Sequence, residues 1–180
     1  GLAEFPNGQV MFFNVRNYGH KGYKSKVDND FYFEDGGKIV RGQYYAKGSE
    51  KGDKVSVPPG KVTPGGNWGA FIAACRAGDP LMANGNAAQA HHSCTLGHLI
   101  NNSYRLGQKV PFNAKASRFG DNADAYEHFM KLHALMRDGV GVPEDKAEYV
   151  VGPWLTFDGQ TERFTGEFAE EANQLAQDPH

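Results

Sequence analysis

The chain has 180 residues, of which 39% are hydrophobic and 12% aromatic, enough to bury one sizeable core, so a disordered chain is excluded and a single domain over 1–180 is expected. A formal net charge of -2, with Lys and Arg scattered along the chain, offers no field for a phosphate backbone and argues against a nucleic-acid partner. No apolar run reaches the roughly 18 residues of a membrane span and no charged-then-apolar leader is visible, which favours the cytoplasm and leaves export open only through a removed N-terminus.

Residues 9–16, QVMFFNVR, are rich in β-formers and follow an Asn7-Gly8 turn signal, so they predict a strand. The segment after it, RNYGHKGY at 16–23, carries a cation, an imidazole and two phenols, with glycines that let the backbone bend. Loops held by a sheet concentrate binding residues, which makes Arg16, Tyr18, His20 and Tyr23 candidates for substrate binding. The alternative is a polar edge loop whose aromatics pack on Trp68. Residues 31–34 and 38–40 flank Asp35-Gly36-Gly37 as a hairpin, and a further strand is expected at 43–46. From 48 to 66 the composition turns to Gly, Pro, Ser and Lys, a surface crossing where disorder is expected.

Asn67 reads as the N-cap of a helix over 68–77, with Phe71, Ile72 and Cys75 facing inward and Gly78, Asp79 and Pro80 ending it. Residues 90–109, AHHSCTLGHLINNSYRLGQK, form the most informative stretch of the chain. At about 100° per residue, His92, Leu96, Leu99, Ser103 and Leu106 share an apolar stripe, with His92 expected as a buried, satisfied histidine. His91, Cys94, His98, Asn101, Asn102 and Arg105 gather on the polar side. Gly107 stops the helix and an extended KVPFN segment follows. A third helix is expected over 122–138, with Tyr126, Phe129, Met130, His133 and Met136 on its apolar side and Gly139 at its end. Strands at 148–151 and 154–157, the second leading into Asp158-Gly159, precede a last helix at 166–177. The two cysteines, Cys75 and Cys94, fall in predicted helices and are expected as a reduced pair. This order predicts an α+β fold: an open-faced, mostly antiparallel or mixed sheet with helices packed on one face.

His91, Cys94 and His98 at i, i+3 and i+7 share a helix face and have the donor types zinc prefers, but no fourth ligand is spaced nearby, so no metal site is assigned. If the polar stripe lines a cleft, His91 and His98 suit a polyol, because neutral imidazole offers one donor and one acceptor. The bland reading is a solvated stripe, with a helix-start histidine and a mid-helix histidine bonded to backbone. No Ser-His-Asp spacing, paired-carboxylate motif or phosphate loop is readable, and no catalytic residue is assigned.

The 90–109 string resembles a stretch in the second half of the Gfo/Idh/MocA oxidoreductases, typified by glucose-fructose oxidoreductase and inositol dehydrogenase, which reads approximately G-H-x-S-x-x-L-C-H-L-x-N-x-x-Y-R-L-G-R-K. His91, Ser93, Leu96, His98, Leu99, Asn101, Tyr104, Arg105, Leu106, Gly107 and Lys109 stand in matching places. Ala90, Gly97 and Gln108 depart from the pattern. NWGAFIAACRAGDP at 67–80 looks like the family's preceding helix and RFGD at 118–121 like its following turn.

The resemblance implies the C-terminal portion of a longer enzyme, a substrate-binding and oligomerisation domain whose bare sheet face makes homo-oligomer contacts. The family's dinucleotide-binding half opens with a Gly-rich turn that is absent here; Gly139-Val140-Gly141 is followed by Val142-Pro143 and reads as a helix-ending loop. The family's Glu-Lys-Pro lysine has no counterpart either. The resemblance therefore implies that NAD or NADP is bound in the full-length protein, by an N-terminal Rossmann domain, and not by this chain alone. The absence of an initiating methionine fits that expectation. The function expected is part of an NAD(P)-dependent dehydrogenase acting on a carbohydrate or cyclitol, the isolated chain being inactive. The alternatives are a stand-alone carbohydrate-binding or dimerisation module, or half of an NAD-dependent glycosidase of the same family.

Overall fold

The computed structural model describes residues 1–15, 28–56, 64–112, 119 and 123–177. It places the chain in the α+β class, with helices alongside sheets whose strand pairings, among the described residues, are all antiparallel. Two compact units form, one of residues 24–86 and a larger one of residues 1–23 with 87–180. The candidate loop residues Arg16, Tyr18, His20 and Tyr23 lie outside the described residues, as do 57–63 of the segment expected to be disordered.

The larger unit opens with a hairpin of β1 (Leu2–Glu4) and β2 (Val10–Phe12). Its turn is the predicted one: the Gln9 N–H donates to Asn7 Oδ1 at 3.1 Å and the Gly8 N–H to the Phe5 carbonyl at 2.8 Å.

The smaller unit contains a four-stranded meander of β3 (Phe31–Tyr32), β4 (Lys38–Val40), β5 (Gln43–Tyr45) and β6 (Asp53–Lys54), in that order. Asp35 Oδ1 accepts the Gly37 N–H at 2.8 Å and closes the first turn, as its Asp-Gly-Gly signature predicts. The second turn is Arg41-Gly42, with φ of 52° and 72°, the left-handed pair that matches the twist of adjacent antiparallel strands. β6 falls within the stretch read as a loop, because two residues are too few to show alternation. Helix α1 (Gly66–Ala77) starts before Asn67: Gly65, in a left-handed conformation, is the N-cap, and it makes no side-chain capping bond. Its expected inward face is corrected as well. Ala70 and Ala74 are the buried pair, one turn apart, while Phe71, Ile72 and Cys75 are exposed. The small alanine side chains admit the close approach, and the bulky residues are left outside. A 3₁₀ turn at Pro80–Met82 follows, capped where Asp79 Oδ1 accepts the Leu81 N–H at 3.0 Å.

Back in the larger unit, α2 (Ala87–Arg105) leads into β7 (Gln108–Pro111). Helix α3 (Ala123–Ala134) continues as a π-helical stretch, Leu135–Val140, capped by Gly141 rather than ending at Gly139. β8 (Glu148–Val151) pairs with β7, and β9 (Thr156–Asp158) with β10 (Arg163–Thr165) before α4 (Ala169–Gln177). The centre of this unit is aromatic. Phe112, just after β7, stacks on Phe129 of α3 at 4.8 Å between centroids and meets Tyr149 of β8 at 5.0 Å and His133 at 4.6 Å. The exposed edge of β10 is closed by a side chain: the Phe164 N–H donates to Asn173 Oδ1 at 3.0 Å, and Asn173 Nδ2 donates to the Phe164 carbonyl at 2.9 Å. This pair of bonds mimics a strand and ties α4 to the hairpin.

Candidate functional site

The chemistry-bearing residues lie on α2, whose faces follow the helical period with two corrections. Leu96, Leu99, Ser103 and Leu106 are partly buried and form the inward stripe, whereas His91, Cys94, His98, Asn101 and Arg105 are exposed. Asn102 is 7% exposed and belongs to the packed side, not the polar one. On the helical wheel it stands about 60° from Leu99, at the border between the faces. His92, expected to be buried, is exposed. It shares the direction of the apolar stripe, but every residue of 87–94, His92 included, is exposed.

Two close approaches fix the other end of α2. Ser103 Oγ donates to the Pro153 carbonyl at 2.8 Å, joining the helix to the segment after β8. Gly152 makes that contact possible: a Cβ there would lie 2.5 Å from the Ser103 carbonyl oxygen and nearer still to its Oγ. At the helix end, a Cβ on Gly107 would lie 2.6 Å from Val150 Cγ1 and 2.8 Å from the Val151 carbonyl oxygen. The helix stops before Gly107 as expected, and Gly107 is not among the positive-φ residues. Its role is to let β7 start flush against β8. Gly97, where the resembled pattern has cysteine, is the opposite case, since a Cβ there meets nothing within 4 Å. Gly97→Ala is therefore expected to stabilise the fold by about 1 kcal/mol, through helix propensity alone, read as a raised urea midpoint at constant m.

At the projecting end of α2 the structure brings in a residue that sequence reasoning did not find. His91 Nε2 donates to Glu162 Oε1 at 2.7 Å, across 71 positions of sequence. Both side chains are about half exposed, and the His92 ring lies 5.6 Å from that of His91. Ser93 and Thr95 do not add hydroxyl donors here, because each bonds back to a helix carbonyl four residues earlier. Glu162 occupies the loop joining β9 to β10, with a left-handed φ of 53° that a glutamate adopts only at a cost. Asp158 pre-forms that loop. Its Oδ2 accepts from Thr161 Oγ1 at 2.7 Å and its Oδ1 from the Gln160 N–H at 2.9 Å.

Those two bonds, the Thr161 hydroxyl first, hold the Asp158 carboxyl below its usual range. A lowered folded value means the turn gains from the carboxylate at any pH above the unfolded value of 3.8 and loses that gain as pH falls from there through the folded value. The Gln160 amide resonance is expected to hold its position at neutral pH and to move toward a random-coil shift only in that acid window. Movement near pH 6 would assign the turn to another group.

Among the described residues, no group of three or more His, Cys, Asp or Glu side chains converges on a metal-binding geometry, so His91, Cys94 and His98 share a face without meeting at one point. The Gly139-Val140-Gly141 segment does not have the form of a dinucleotide-binding turn. Gly139 and Gly141 close a helix instead of opening one, so no helix-start amides point outward there for a pyrophosphate. Comparison with protein families, with curated proteins and with solved structures finds no match.

Proposed function

We propose that this chain supplies part of the substrate-pocket wall and the subunit contacts of an NAD(P)-dependent oxidoreductase acting on a carbohydrate or cyclitol, the cofactor being held by a Rossmann domain outside these residues. The reading is carried by one observation. The resembled motif forms a single helix-to-strand unit, α2 into β7, that presents His91 and His98 on an exposed face about 10 Å apart along the axis. Two imidazoles at that spacing can each bond a hydroxyl of a polyol, and His91 is already oriented by Glu162.

Exposed apolar surface supports the partner polypeptide that this reading requires. In the unit of residues 24–86, Trp68 is 80% exposed, and Phe71, Ile72, Leu81 and Met82 are open on the same helix and the turn after it. Monomeric proteins rarely leave such a group uncovered, and both a cofactor domain and a second subunit would cover it.

The proposal has a kinetic test. In the protein produced from its whole reading frame, assayed for sugar-dependent NAD(P)⁺ reduction, His91→Ala and His98→Ala are each expected to raise KM for the sugar about tenfold with little change in kcat, the loss of one hydrogen bond made equally in ground and transition states. Unchanged KM in both variants would remove α2 from the pocket wall.

A further inference from the structure

We infer that Glu162 is a positioning and specificity residue: it fixes His91 as a hydrogen-bond acceptor toward the ligand and excludes anionic sugars in favour of neutral polyols. The inference rests on the proposed function for its ligand, but not for its geometry. A carboxylate only accepts, so the 2.7 Å contact needs a proton of His91 on Nε2, and the one neutral tautomer that satisfies it carries its lone pair on Nδ1. A polyol hydroxyl can donate to that nitrogen. A carboxylate or phosphate cannot donate, and it would also approach the negative charge of Glu162.

The placement of Glu162 argues that the pair is not incidental. Its backbone is left-handed at φ 53°, a position where glycine or asparagine costs least, and the turn that imposes it is held by the two bonds to Asp158. The partner it reaches stands on the first two turns of α2, where residues 87–94 are all exposed. An exposed histidine–carboxylate contact contributes little stability, so a strained glutamate held there is better explained by what it does to His91. The other charged group of the polar stripe, Arg105, is about 20 Å away along the helix and does not offset the carboxylate.

Two variants test this. Glu162→Gln removes the charge, and Glu162→Gly removes the side chain while relaxing the backbone, so the hairpin stays folded. The first measurement needs no ligand: imidazole ¹⁵N shifts of His91 in the 180-residue chain are expected to show the Nε2–H tautomer alone, and a mixture of tautomers in Glu162→Gly. An unchanged tautomer population would overturn the positioning role. The second measurement compares glucose with glucuronate on the protein from its whole reading frame. The wild type is expected to favour glucose, and Glu162→Gln to improve the relative affinity for glucuronate by about threefold or more, the screened effect of one charge a few ångströms away. An unaltered ratio would overturn the specificity role. Failure to bind either sugar would overturn it too and would also count against the proposed function, whereas the tautomer result stands or falls separately.

Discussion

Phe129→Ala is expected to cost about 3 kcal/mol or more, the largest loss expected of a single truncation among the described residues. Phe129 is 6% exposed and contacts three other aromatic rings: Phe112 at 4.8 Å, Tyr149 at 5.2 Å and Phe119 at 5.5 Å. Through Phe112 and Tyr149 it joins α3 to both strands of the β7–β8 ribbon. Apart from Leu135 and Phe164, the other buried apolar residues described in this unit are three alanines, and among the described residues no large side chain is completely buried, so few side chains in this unit can take over. A cavity here removes a large share of a marginal stability. Urea denaturation followed by tyrosine and tryptophan fluorescence measures it. A loss under 1 kcal/mol would mean that the aromatic group is not the core of the larger unit.

Gly152→Ala comes next, at about 2–3 kcal/mol, and it acts by overpacking rather than by leaving a hole. The added carbon would collide with the carbonyl oxygen, the carbonyl carbon and Oγ of Ser103, and relief requires α2 to move away from the segment after β8. The Ser103 bond to Pro153 would then stretch or break. Ser103→Ala alone is expected to cost about 1 kcal/mol. Combined with Gly152→Ala, it should give less than the sum, since it removes the nearest obstructing atom while leaving the backbone collision. Strict additivity would show that the two residues do not share a contact. The functional consequence follows from the same geometry, because a displaced α2 carries His91 away from Glu162.

The helical period of α2 was readable over its second half: Leu96, Leu99, Ser103 and Leu106 are inward residues that the wheel assigns. What the period cannot supply is what a face meets. His92 lies in the right direction but is exposed, and Asn102 lies at a border that is buried. In α1 the wheel chose bulk, and the structure buried Ala70 and Ala74 instead. Hairpins with Asn-Gly or Asp-Gly signals were legible at both Gly8 and Gly36, where the turn chemistry is local. β1, β6 and β10 were not, being two or three residues long and defined by their partners. Glu162 was invisible for the same reason: its meaning comes from a histidine 71 positions away. The aligned residues of the 90–109 stretch therefore set the functional expectation, and only the fold adds the carboxylate beside it.

The most direct measurement is a fluorescence titration of NADH and NADPH against the protein produced from its whole reading frame, with the 180-residue chain as control. The account predicts saturable binding to the former and none to the latter, since it assigns the cofactor to a Rossmann domain outside these residues. Binding by neither would contradict the oxidoreductase reading and leave a carbohydrate-binding or dimerisation module in its place.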